Sequence, residues 1–148
     1  MNKQNLLVLL SLLIISACTR EKTVTESSYP DGSPKKICVY RVNGDSKELI
    51  RETTYYPGRK IQMEGTYKNT LRDGRWIYYY QNGKLWSEGF YNEGKNDGKR
   101  VTYFENGKVR YEAWYKDDQR VGKWRFFDEK GKLLRVVNYD SQPDSVKK

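Results

Sequence analysis

Tyrosines stand at Tyr67, Tyr91, Tyr115 and Tyr139, each 24 residues from the last. Lys60, Lys84, Lys108 and Lys132 keep the same step. So do the aliphatics Ile61, Leu85, Val109 and Leu133 and the rings Tyr55, Tyr79, Tyr103 and Phe127. Gly74, Gly98 and Gly122 hold a second phase, and Glu64, Glu88 and Glu112 a third. Independent registers on one period mark a repeat architecture, in which each unit buries its surface against the next.

Two kinds of turn signal punctuate the repeat. Asn82-Gly83 recurs as Asn106-Gly107 and, more weakly, as Lys130-Gly131. Asn-Gly between β-rich runs predicts a two-residue type I′ hairpin turn. The stretch 92–98, matched by 116–122, reads as a longer connection. The intervening runs, such as 75–81 and 84–91, are aromatic, strand-length and too short for helices. The expected fold is all-β, an antiparallel meander of β-hairpins built from about four 24-residue repeats.

A two-residue turn sets Trp76 opposite Gly89 and Tyr78 opposite Ser87. It then puts Trp76, Tyr78, Tyr80, Leu85, Gly89 and Tyr91 on one face, and Ile77, Tyr79, Lys84, Trp86, Glu88 and Phe90 on the other. The indole of Trp76 is thereby expected over Gly89, where no side chain competes. Trp124 meets Val137 in the last unit, while Arg100 and Ala113 break the pattern in the middle one. Pro57-Gly58, with Arg59 at the glycine position, predicts a one-residue register shift in the first unit.

Asp73-Gly-Arg-Trp76, Tyr79-Tyr-Gln-Asn-Gly-Lys84 and Glu88-Gly-Phe-Tyr91 return as Asp97-Gly-Lys-Arg100 and Tyr103-Phe-Glu-Asn-Gly-Lys108. This pattern resembles the bacterial MORN-variant repeat, clearly over 55–139 and loosely over 29–140. The resemblance implies a hairpin-repeat fold. Through the antitoxin label that many such proteins carry, it also implies a protein-binding role. Lipid contact and scaffolding are the roles proposed for membrane-associated MORN proteins.

At the N-terminus, Lys3 precedes an apolar run from Leu6 to Ile15 that ends in Ser16 and Ala17. That is the layout of a secretory signal peptide over 1–17, too short to span a bilayer. Ile15-Ser16-Ala17-Cys18 resembles the bacterial lipobox, which implies cleavage after Ala17 and lipidation of Cys18, with anchoring by several acyl chains. Thr19 in place of aspartate favours an outer membrane in a cell that has two. Residues 18–34 then read as the lipidated N-terminus and a flexible tether, 35–140 as the repeat domain and 141–148 as a tail. Cys38, between Ile37 and Val39, reads as a small buried residue.

The chemistry legible in the chain is that of binding. With no His, Ser-His-Asp catalysis and most zinc chemistry are excluded. No catalytic residue, metal ligand or cofactor site is expected, and the chain is read as a non-enzyme. Glu64, Glu88 and Glu112 are read as cross-strand partners of Lys and Arg rather than as paired catalytic carboxylates. Asp97, Asp117 and Asp118 are read as turn formers, since they lack an EF-hand ligand pattern. Mean hydropathy is −0.96, but 13 Tyr, 4 Trp and 4 Phe supply ring surface that disordered chains lack.

A net charge of +9 with interleaved rings suits an anionic counter-surface. Export argues against nucleic acid and for an acidic protein or anionic lipid. The expected function is a lipid-anchored envelope scaffold for protein interaction, with membrane contact through the N-terminal lipid. The alternative is a glycan- or anionic-lipid-binding module, in which Trp86, Phe90, Tyr111 and Trp114 form the binding surface.

Overall fold

The computed structural model describes residues 20–140, which form one antiparallel sheet and no helix. Its strands are β1 (Arg20–Ser28), β2 (Pro34–Asn43), β3 (Ser46–Tyr55), β4 (Ile61–Lys68), β5 (Leu71–Tyr79), β6 (Leu85–Asn92), β7 (Lys95–Asn96), β8 (Gly98–Tyr103), β9 (Val109–Lys116), β10 (Gln119–Phe127) and β11 (Leu133–Asn138). Each strand pairs with the next along the chain except at β7 and β8, which both pair with β6. The expected meander of hairpins is therefore the fold.

The two turn types are exchanged relative to expectation. The Tyr80 N–H donates to the Lys84 carbonyl (2.8 Å) and the Gly83 N–H to the Tyr80 carbonyl (2.8 Å). Gly83 has a φ of 89°, whereas Asn82 is not among the positive-φ residues. This is a three-residue loop, a type I turn closed by a left-handed glycine. The Asn82 side chain fastens it by accepting the Lys84 N–H (2.9 Å), as Asn106 does for Lys108 (2.9 Å). The two-residue turns lie at the other end of the strands, at Asn69-Thr70 (φ 51° and 66°), Glu93-Gly94 (48° and 85°) and Asp117-Asp118 (49° and 65°). What reads as a long connection over 92–98 is thus a tight turn followed by β7.

The three-residue loop changes the register. Trp76 pairs with Gly89 and Tyr78 with Ser87 as expected, but Tyr79 pairs with Leu85. Trp86 is left over as a bulge, and bulges re-aim side chains. Its ring lies 6.0 Å from Tyr78 and 6.2 Å from Tyr80. Trp86 therefore shares the face of Trp76, and Leu85 takes the opposite one. Arg110 and Leu134 are bulged in the same way, between Tyr111 and Val109 and between Arg135 and Leu133. The first unit obeys the same rule, since Tyr56 bonds Lys60 and Arg59 through the backbone and Tyr55 pairs with Ile61. The one-residue shift expected at Pro57-Gly58 is present between Thr54 and Tyr55, but every unit shares it, and here both Gly58 (φ 85°) and Arg59 (φ 64°) take left-handed backbone.

Residues 20–28, read from sequence as part of a tether, form β1, paired with β2 from Arg20↔Val42 to Ser28↔Pro34. The β-branched run Thr23-Val24-Thr25 and charges on both faces suit an edge strand, whose backbone ladder needs no apolar side. The signal peptide 1–17, Cys18 and the tail 141–148 lie outside the described residues.

The main row of the core crosses the strands with small and large residues alternating, and Met63 and Val101 are buried outside it. The row runs Cys38, Glu52, Gly65, Trp76, Gly89, through Arg100 and Ala113, to Trp124 and Val137. The large members fall at 52, 76, 100 and 124. Trp76 is completely buried although the sheet is one layer thick. Its indole lies over Gly65, not over Gly89 as expected, and is boxed by Tyr67 (5.3 Å), Tyr91 (5.8 Å) and the Arg72 guanidinium (4.1 Å). Trp124 repeats the arrangement with Tyr115, Tyr139 and Arg120. In the middle unit Arg100 takes the indole's place, lying over Gly89 and bonding the Tyr91 hydroxyl (3.2 Å) and Asn96. Cys38 fills a small position and is 3% exposed, with burial, then Glu52 and Glu26, pushing its thiol pKa up.

Candidate functional site

Strand alternation sorts the charges of β4–β11 onto two unlike faces. The acids Glu64, Asp73, Glu88 and Glu112 share one face. Glu64 accepts the Tyr79 hydroxyl (2.8 Å), and Glu88 accepts Tyr103 (3.0 Å) and pairs with Arg75. Glu112 binds Lys99 (2.6 Å) and Arg125 (3.3 Å). The Lys99 bond outweighs burial and holds the Glu112 carboxyl below its usual range. Burial would raise Glu88, but Arg75 and Tyr103 bring it below its usual range too. Burial, reinforced by the glutamate bonds, pushes the Tyr79 and Tyr103 hydroxyls up to about 12. The three glutamates thus find their partners within this face.

The opposite, aromatic face carries Arg72, Arg100, Arg110, Arg120 and Arg135 and, in these strands, no carboxylate. These arginines cap rings or bond hydroxyls: Arg72 donates to Tyr78 (3.3 Å), Arg120 to Tyr139 (3.2 Å), and Arg135 lies 4.3 Å from the Phe126 ring. None of the five belongs to an ion pair among the described residues. Between the two Trp-centred clusters the neighbouring row holds only the small Ser87 and Thr102, which face each other. Ser87 is buried and donates to the Val101 carbonyl (3.1 Å). A cleft of about 140 Å³ opens there, bounded by Tyr78, Trp86, Tyr111 and Arg100.

Residues 72–93, 96–117 and 120–141 match the MORN repeat variant. The chain carries three MORN-variant repeats in tandem. Each MORN-variant unit is one hairpin with its three-residue loop at the tip, and the two-residue turns join one unit to the next. Repeats of this kind are interaction modules without enzymatic activity of their own. A search of curated proteins finds none that matches the chain.

Of the four ring residues singled out from sequence, the MORN-variant sheet brings together two. Trp86, 42% exposed, and Tyr111 line the same cleft on the aromatic face. Phe90 and Trp114 lie on the acid face, where Phe90 is 47% exposed and Trp114 sits beneath Lys99 (5.4 Å). The lipidation candidate Cys18 lies outside the described residues. Sequence reasoning missed the arginines. Their signal was available, since Arg110 and Leu134 follow Trp86 at steps of 24, and Arg72 and Arg120 are 48 apart.

Proposed function

We propose that this MORN-variant protein is a lipid-anchored scaffold of the cell envelope, which holds an acidic partner protein against its aromatic face. The observation that carries this reading is the segregation of charge. Glu64, Glu88 and Glu112 find their partners within the acid face, while five arginines interleaved with rings form no ion pair on the other, whose strands carry no carboxylate. Buried interface cores favour aromatics and Arg. Such a face gains from an acidic partner both steering and charge-assisted hydrogen bonds. The lipobox-like Ile15-Ser16-Ala17-Cys18 supports attachment through an N-terminal lipid, at an outer membrane where the cell has two.

Crosslinking in intact cells followed by capture of the chain tests the proposal. An acidic envelope protein should be captured, and its binding should weaken steeply from 50 to 500 mM salt, as screening requires. Capture unaffected by salt and by loss of Arg100 and Arg120 would contradict it.

A second reading, glycan binding, is favoured by the placement of Trp86 and Tyr111 on either side of one cleft with Arg100 between them. Peptidoglycan fragments should then change tryptophan fluorescence in a way that depends little on salt.

A further inference from the structure

Tyrosine hydroxyls at the loop ends tie one hairpin to the next. Tyr29 donates to the Tyr55 carbonyl (2.8 Å), Tyr56 to Tyr79 (2.9 Å) and Tyr80 to Tyr103 (2.7 Å). The next residue in the series is Phe104, which has no hydroxyl to donate. Where that bond is missing, a recess of about 690 Å³ opens on the aromatic face. Tyr111 and Phe126, with rings 6.0 Å apart, line it together with Phe104 and Leu134. Leu134 is 62% exposed and reaches this face only because it is a bulge residue.

Two guanidiniums border the recess. Arg110 lies 5.7 Å from the Phe104 ring and Arg135 4.3 Å from the Phe126 ring. Both are exposed, and neither makes a side-chain hydrogen bond or ion pair within the described residues. Of the acids that also line it, Asp128 spends its Oδ1 on the N–H groups of Lys130 (2.9 Å) and Lys132 (2.8 Å). Glu129 sits at the loop tip.

We propose that this recess binds a small amphipathic carboxylate, with its apolar body against Tyr111, Phe126 and Leu134 and its carboxylate held by Arg110 and Arg135. The volume falls in the range of about 300–1,000 Å³ typical of small-molecule sites, which pair apolar walls with a few convergent polar groups. A planar guanidinium fork matches a carboxylate bidentately, which gives the two unpaired arginines a common ligand.

Calorimetric titration of the purified full chain with decanoate and with 1-decanol tests the assignment. Decanoate should bind once per chain, and decanol about tenfold more weakly. Arg110→Gln and Arg135→Gln should each weaken decanoate about tenfold and leave decanol unchanged. Leu134→Asp should weaken both ligands. These side chains are exposed, so unchanged thermal melts should accompany each loss. Equal affinity for decanoate and decanol, or full decanoate binding by the double arginine variant, would overturn the proposal. So would binding of an apolar peptide through its terminal carboxylate with no binding of decanoate.

Discussion

The indole of Trp76 occupies the space that a side chain at Gly65 would need, since a Cβ there would lie 2.2 Å from the ring. Trp76 cannot easily retreat, because Tyr67, Tyr91 and Arg72 enclose it. Gly65→Ala should destabilise the sheet by about 1–3 kcal/mol, the usual cost of overpacking. Gly89→Ala should cost less, because the neighbouring atoms, at 3.1 Å, belong to the flexible end of Arg100. Thermal melts of the two variants decide this, and an unaltered midpoint for Gly65→Ala would refute the packing argument.

The loop geometry separates two adjacent residues. Only Gly83 needs a left-handed backbone, so Gly83→Val should cost roughly 1–2 kcal/mol or more. Asn82→Ala removes two side-chain bonds, the one accepted from the Lys84 N–H and an exposed one donated to Glu105 (3.3 Å), of which the first is worth about 0.5–1.5 kcal/mol. Asn82→Gly should not rescue stability, as it would in a type I′ turn with Asn82 at positive φ. Denaturant midpoints for the three variants distinguish the loop types.

Stability should fall at both ends of the pH scale. Glu88 and Glu112 have folded pKa values below the ordinary one, so their stabilisation is present above about pH 4.5 and disappears as pH drops through the folded values. Tyr79 and Tyr103 are raised to about 12. Their contribution is complete below about pH 10 and is lost as pH rises toward 12. Glu112→Gln should flatten the acid limb and the double variant Tyr79→Phe/Tyr103→Phe the alkaline one. Melting midpoints across pH 3–12 that keep both limbs would count against these pairings.

Trp86 and Trp114 should behave differently because they lie on opposite faces. Trp86→Ala should leave the fold intact, given its 42% exposure, and weaken capture of the partner by about 0.5–1.5 kcal/mol. Trp114→Ala should leave capture unchanged. Equal loss in both variants would point to partners on both faces.

Anchoring is tested at Cys18. Cys18→Ser should accumulate as uncleaved precursor and take up no labelled palmitate, and labelling equal to the wild-type chain would rule out lipidation there.

A 24-residue period is a property of the chain, so the hairpin unit and the meander were legible without any structure. So was the 24-residue recurrence of Tyr67, Tyr91, Tyr115 and Tyr139, and the Trp76–Gly89 pairing read from a two-residue turn stands because the bulged Trp86 offsets the third loop residue. The loop type was not legible, because Asn-Gly suits both a two-residue turn and the last positions of a three-residue one. That choice depends on how the next strand docks, and it inserts a bulge that period-two reasoning cannot see. Trp86 was consequently placed on the face opposite Tyr78, whereas the two rings lie 6.0 Å apart on the same one. The sequence by itself determined the repeat, the hairpins and the basic, ring-rich composition. Only the tertiary structure decided that Trp86, Arg110 and Leu134 join the face of rings and unpaired arginines, because the three-residue loop and its bulge exchange the facing of the two residues beside the loop and leave the rest of the strand as alternation predicts.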